Sequence, residues 1–299
     1  MREGLASAGH GVIDVRISKE GRWREGGKDV ELKPGDGLLG SEVVFPVLHG
    51  PNGEDGTVQG LLQVLDVPYV GAGVLGSAVC MNKVTFKELM ANAGLPQVAY
   101  ERLRVTEWKN RQDELTVEVR RLGFPLFVKP ARTGSSIGIS KVDTEADLAA
   151  ALEKAFAEDS LALAEAAAPG LEVECSVIGS GELTISQPGE IVIDADWYDY
   201  EAKYTEGKMR LQIPARISEQ AARQVREIAE TAYRESGCAG MARVDFFVDG
   251  EQVLLNEINT IPGFTPTSVF GKLLEASGIP YPDMLNRLLE DAVSRFRPA

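Results

Sequence analysis

The sequence predicts a mixed α/β fold, an open parallel α/β unit followed by α+β lobes, on three observations. An apolar run over 42–48 enters the glycine-rich loop 49–56, and helical spacing resumes over 57–65. Strand, glycine-rich loop and helix in that order mark an open α/β sheet, whose ligand sites lie at the carboxyl ends of strands. Apolar residues then alternate through 242–259 as two strands joined by a short turn. Finally, 299 residues that are 44% hydrophobic and 25% charged suffice for two domains, or three smaller lobes, without disulfides.

The elements follow in order. Residues 12–17 and 42–48 read as short buried strands. Glycine recurs over 70–79, and a helix follows at 82–93, stopped by Gly94 and Pro96. A domain boundary belongs at this point. A strand at 124–130 carries Lys129 into the Gly/Ser loop 131–138, followed by a strand at 139–142, a helix at 145–157, and strands at 161–165 and 171–178. After a polar, tyrosine-rich stretch at 194–208 come an amphipathic helix at 218–237, the hairpin, a Gly/Pro loop and a C-terminal helix.

The net charge of −14 excludes a broad basic face for nucleic acid, although a local Lys/Arg cluster can hold a small phosphate ligand. Three cysteines, Cys80, Cys175 and Cys238, are too few and too scattered for a disulfide framework or a CxxC metal site. No stretch approaches the ~20 apolar residues of a membrane span, and the first ten residues lack a signal-peptide core. The expectation is a cytoplasmic protein.

Chemistry concentrates in the hairpin. Arg243 and Asp245 share one face of its first strand, and Glu257 and Asn259 share one face of its second. A two-residue turn at Asp249-Gly250 would put the two pairs on opposite faces. A three-residue turn, with Gly250 left-handed, would bring all four together. In that register two carboxylates and an amide oxygen form the hard donor set that Mg²⁺ prefers, beside a fixed guanidinium. A second element is Lys129 ahead of the loop Ala131 to Gly138, whose backbone N–H groups can face phosphate oxygens. It is neither a Walker loop nor a GxGxxG turn. Glu165 and Glu172 end two strands around a short loop, placed to meet the base and the ribose of a nucleoside.

These strings resemble the ATP-grasp enzymes, and among them the D-alanine–D-alanine ligases. The resemblance is carried by Leu48-His49-Gly50, Gly53-Glu54-Asp55-Gly56, Met81-Asn82-Lys83, Lys129-Pro130 and Gly134-Ser135-Ser136-Ile137-Gly138. It continues through Trp197 to Tyr204, Arg243-Val244-Asp245-Phe246, Asn256-Glu257-Ile258-Asn259-Thr260 and Pro262-Gly263, covering about residues 40–290. It implies an ATP-grasp fold with a substrate-side α/β domain at 1–81, a central lid subdomain at 82–178 and a C-terminal domain at 179–299. It also implies ATP-driven joining of two D-alanines through an acyl phosphate, for peptidoglycan synthesis, by a homodimer.

By the same resemblance, Lys83 and Lys129 hold nucleotide phosphates, Glu165 faces adenine, Glu172 faces ribose, and Asn256 lies at the nucleotide. Asp245, Glu257 and Asn259 bind two Mg²⁺ ions, or Mn²⁺ in their place. Lys203 meets the transferring phosphate, carried by the loop 194–208. Arg243 and the Gly263 N–H stabilise the tetrahedral intermediate, and Ser268 takes the second substrate's carboxylate. Ser135 and Tyr204 link the loop to the first-substrate pocket, near His49, and the Lys203-Tyr204 pair favours an amine nucleophile over D-lactate. One departure stands out: the family's opening strand, Gly-Gly loop and ammonium-gripping glutamate have no counterpart ahead of Ala8-Gly9-His10. A homologue that binds Mg-ATP without turnover, or with altered substrates, is the alternative.

Overall fold

The computed structural model describes residues 1–134, 136–193, 209–265 and 268–296. Three sheets organise them. A small sheet contains β1 (Val15–Ile17), β2 (Trp23–Glu25) and β3 (Lys28–Asp29). A four-stranded sheet runs β4-β7-β5-β6, from β4 (Tyr100–Arg104), β5 (Leu126–Pro130), β6 (Ser140–Val142) and β7 (Leu161–Ala166). The third holds β8 (Leu171–Ile178), β9 (Thr184–Ile185), β10 (Gly189–Ile193), β11 (Met209–Gln212), β12 (Met241–Asp249) and β13 (Gln252–Asn259). Its order is β11-β10-β8-β12-β13, with β9 on β8.

The predicted mixed α/β character holds, but among the described residues the first unit is paired differently from expectation. Its hydrogen-bonded sheet is antiparallel, and parallel pairing there is confined to the bridge Val44–Tyr69. Residues 42–48 contain Pro46, which has no N–H to give a ladder. The strand expected at 12–17 begins only at Val15, and Ile13 is exposed.

Nine helices cover these sheets among the described residues: α1 (Arg2–Ser7), α2 (Thr57–Val64), α3 (Val74–Met81), α4 (Lys83–Asn92), α5 (Val105–Arg120), α6 (Leu148–Glu158), α7 (Glu219–Glu235), α8 (Val269–Ala276) and α9 (Tyr281–Phe296). The glycine-rich stretch before position 82 thus contains a helix that its glycines disguised. Gly76 serves close packing rather than a turn, since a Cβ there would lie 2.5 Å from the Gly237 carbonyl oxygen. Helix α4 begins as expected, with the Asn82 side chain accepting from the Thr85 N–H at 3.2 Å.

The main core forms where α7 lies on β8, β12 and β13. Ala221, Val225, Ala229 and Ala232 recur at helical spacing and meet Val173, Cys175, Val244, Phe246 and Val248. Because strand side chains alternate, the opposite face of those strands is left for polar residues. A second core, with Leu103, Leu126, Val128 and Leu152, packs α5 and α6 on the four-stranded sheet.

The segment between Ala166 and Leu171 passes from one sheet to the other. Gly170 in it has φ +94°, and a Cβ there would lie 2.2 Å from the Val248 carbonyl oxygen, a backbone atom. Gly170→Ala therefore combines left-handed strain with a contact that no side-chain rotation relieves. It is expected to lower stability by about 2 kcal/mol or more, read as a lower urea midpoint.

Candidate active site

The polar face of the large sheet is assembled by a register shift. β12 pairs with β13 as Asp249–Gln252, Val248–Val253, Phe247–Leu254 and Phe246–Leu255, and then skips Asn256 to pair Asp245–Glu257 and Arg243–Asn259. The hairpin thus has neither of the registers weighed from sequence. Its turn is Gly250-Glu251, with Gly250 at φ +57°, and a bulge at Asn256 gathers the four residues. The sequence carries a trace of the bulge: buried positions run Val253, Leu255, Ile258, a step of two and then of three. β8 extends the face on the other side, with Glu174 opposite Asp245 and Glu172 opposite Phe247.

Arg243 is the centre of this face. Its Nε and Nη2 donate to the two oxygens of Asp245 at 2.7 Å each, and Nε lies 3.1 Å from Glu174. Asn259 Nδ2 donates to Asp245 at 2.9 Å. Burial works against the guanidinium, but Asp245 and Glu174 hold its pKa well above the usual value, so it remains charged.

One pocket brings Lys83, Lys87, Lys129, Glu165, Asn256 and Glu257 together. Lys83 enters from the start of α4, with Nζ donating to the Thr133 carbonyl at 2.7 Å and lying 4.0 Å from Glu257. Glu165, on β7, is 1% exposed and forms ion pairs with Lys129 and with Lys87. Burial raises its pKa, but the two ammonium groups reverse that and hold it at about 2. The resemblance sets Glu165 against adenine; its carboxylate is held by the two lysines, because a buried anion needs counter-charge. Glu172 stands on the neighbouring sheet, half-buried.

The loop 49–56 and the loop after β13 close the other side. His49 is exposed at its outer edge; partial burial lowers its pKa, the Ile261 backbone opposes that shift, and Arg243 lowers it further. Glu54 accepts from the Gly50 N–H at 2.5 Å, and burial pushes its carboxyl up to about 7, with Glu257 adding to the shift. Phe264 is edge-on to both Phe45 and Phe270, which anchors this second loop. Gly263 backs onto Ser268, since a Cβ at Gly263 would lie 2.9 Å from Ser268 Oγ. Ser268 Oγ in turn accepts from the Thr265 N–H at 2.8 Å.

The structure therefore unites Arg243, Asp245, Glu257 and Asn259 on one face, Lys83, Lys129, Glu165 and Asn256 around one pocket, and His49, Gly263 and Ser268 at the adjoining loops. Ser135, Lys203 and Tyr204 lie outside the described residues. Sequence reasoning missed Lys87 and the burial of Glu54. Lys87 had a signal, standing one helical turn after Lys83. A larger cleft near Arg2, Arg16 and Arg24 lies apart from these groups.

Comparison with known proteins agrees with this geometry. Residues 89–290 match the family described as D-ala D-ala ligase C-terminus, and residues 15–72 match D-ala D-ala ligase N-terminus. The chain belongs to the D-alanine–D-alanine ligase family. It is 46% identical to the D-alanine–D-alanine ligase of Deinococcus radiodurans, over 94% of this chain and 88% of the relative. It is 49% identical to that of Geobacillus kaustophilus, over 86% of this chain and 70% of the relative. Among solved structures, the D-alanine–D-alanine ligase of Coxiella burnetii superposes with TM-score 0.83 at 34% identity, covering 94% of this chain and 84% of that one. The VanG D-Ala:D-Ser ligase of Enterococcus faecalis gives 0.84 at 33%, covering 94% and 89%. The ATP-grasp fold implied by the D-alanine–D-alanine ligase strings is thus the fold of the chain.

The Glu165 ion pairs make this member of the D-alanine–D-alanine ligase family sensitive to acid in a defined window. A carboxyl depressed from 4.5 to about 2 contributes stability above pH 4.5 that is lost as pH falls toward 2. Glu165→Gln is expected to lower the melting temperature at pH 7 and to flatten the decline between pH 4.5 and 2. Melting curves across that range check both.

Proposed function

We propose that the chain is an ATP-dependent D-alanine–D-alanine ligase supplying a peptidoglycan precursor, with the residues above in these roles. The carboxylate of one D-alanine attacks the γ-phosphorus of ATP, ADP leaves, and the amine of the second D-alanine displaces phosphate from the acyl phosphate. The observation that carries the reading is the charged Arg243 fixed on Asp245, across a bulged hairpin from Glu257 and Asn259, with Lys83 and Lys129 sharing a pocket with Glu257. Phosphoryl transfer depends on positioning and charge neutralisation more than on covalent chemistry from the protein.

Lys83 and Lys129 hold the phosphates, Asn256 lies beside them, and Glu172 takes the ribose. Glu165 faces adenine and pairs with Lys129. Arg243 and the Gly263 N–H receive the negative charge of the tetrahedral intermediate, Ser268 receives the second carboxylate, and His49 borders the first-substrate pocket. Lys203 at the transferring phosphate, with Tyr204 and Ser135, completes the set.

Among the described residues no three His, Cys, Asp or Glu side chains form a metal cluster; the donor set of this proposal is two carboxylates and an amide. Asp245 and Glu257 stand directly opposite one another, and Asn259 turns its NH₂ to Asp245, leaving its oxygen as a donor. Such hard oxygens fit Mg²⁺ or Mn²⁺, which would supply neutralisation of phosphate charge. Two ions and a homodimer belong to this proposal. No helix among the described residues is long and apolar enough to cross a membrane; a cytoplasmic place of action belongs to this proposal.

The test is phosphate release from Mg-ATP with and without D-alanine, with the dipeptide identified by mass. D-alanine-dependent release is expected, and its absence overturns the reading. Asp245→Ala and Glu257→Ala are each expected to reduce turnover by about 100-fold or more and to weaken Mg²⁺ binding in the presence of nucleotide. The similarity to a D-Ala:D-Ser ligase makes D-serine the second nucleophile to compare.

A further inference from the structure

Beneath the phosphate-facing lysines lies a charge with no part in the reaction as described. Lys87, on α4, is 2% exposed, yet it carries an ammonium group. Its Nζ lies 2.6 Å from Glu165 Oε1, off the angle of a good hydrogen bond, while Lys129 holds Oε2 of the same carboxylate. Lys87 also stands over the Tyr100 ring, 5.3 Å from its centroid, and its carbonyl accepts from Gln97 Nε2 at 2.9 Å. The two lysines differ in reach: the Lys129 side chain is 15% exposed and that of Lys87 only 3%. An anion entering the pocket therefore meets the Lys129 ammonium more readily than that of Lys87.

This asymmetry has an electrostatic consequence. A carboxylate as buried as Glu165 is strongly destabilised when it loses its counter-charge. If Lys129 were its only partner, turning that ammonium toward a phosphate would strip Glu165 bare, and the cost would come out of nucleotide affinity. Within the trio of Lys87, Lys129 and Glu165 one positive charge is to spare, and Glu257 and Glu172 also act on Lys129.

We propose that Lys87 is a positioning residue that stays with Glu165 and so releases the Lys129 ammonium to the phosphates of a nucleoside triphosphate. The proposal rests on the nucleotide reading above and adds to it a residue that never touches the nucleotide. α4 serves both sides of the device, with Lys83 at the pocket opening and Lys87 one turn on, under Glu165.

Calorimetric titration of the whole chain with Mg-ATP and with adenosine tests this. Lys87→Met is expected to weaken ATP binding by about 10-fold or more while leaving adenosine affinity in place, and Lys87→Arg is expected to restore ATP binding. In a Glu165→Gln background, where no anion needs a partner, Lys87→Met is expected to cost no further ATP affinity. A merely structural lysine would lower both affinities and would do so in either background. Should Lys87→Met alone fail to fold, Lys87→Arg and the Glu165→Gln pair still decide the matter. Unchanged ATP affinity in Lys87→Met, or an added loss in the Glu165→Gln background, overturns the role of Lys87 alone. A parent chain that binds no ATP overturns the nucleotide reading together with it.

Discussion

One extra residue in β13 is the constraint on which the active-site face depends. Without the bulge at Asn256, Asp245 would oppose Asn256, and Glu257 would turn toward the apolar face beneath α7. With it, Val253 and Leu255 remain in the core before the bulge and Ile258 returns there after it, while Glu257 and Asn259 line up beside Asp245 and Arg243. The same irregularity places Asn256 and Glu257, adjacent in sequence, around one pocket. A ladder of regular alternation could not do both.

The buried charges around that face are arranged in unequal groups rather than isolated pairs. Arg243 stands between Asp245 and Glu174, and Glu165 between Lys87 and Lys129. Each central group is more buried than its environment would tolerate if it lost all its partners. Such clusters contribute little net stability compared with apolar packing, but they hold charged side chains in fixed directions before any ligand arrives. For chemistry that moves a phosphoryl group between two anions, fixed direction is the useful property.

The apolar framework explains why these groups stay in place. α7 seals one side of β8, β12 and β13, so the polar residues of those strands have only the other side available. Gly170 lets the chain pass within touching distance of Val248 as it crosses from the four-stranded sheet to the large one, and it fixes Glu165 and Glu172 relative to each other. Phe264, clasped by Phe45 and Phe270, sets the loop that carries Gly263 and meets His49.

Much of this was legible in the residues themselves. The helix over α4 with its Gly94 and Pro96 stop, the long amphipathic α7 and the strand carrying Lys129 follow from local periodicity and helix-end signals, which depend on near neighbours alone. The polar set Arg243, Asp245, Glu257 and Asn259 was also recognisable, because hard ligands beside a guanidinium are unusual at that spacing. What the sequence could not determine was everything that depends on distant partners. α3 was hidden because Gly76 answers to the backbone at Gly237 and not to its own helix. The 42–48 strand did not form because Pro46 leaves its ladder incomplete. The hairpin register was decided by the joint demand of α7 on Val253, Leu255 and Ile258, and the burial of Glu165 by lysines from α4 and β5. Local residue type set which groups were present; only tertiary packing, through the cost of burying a charge or leaving an apolar face in water, decided which of them meet.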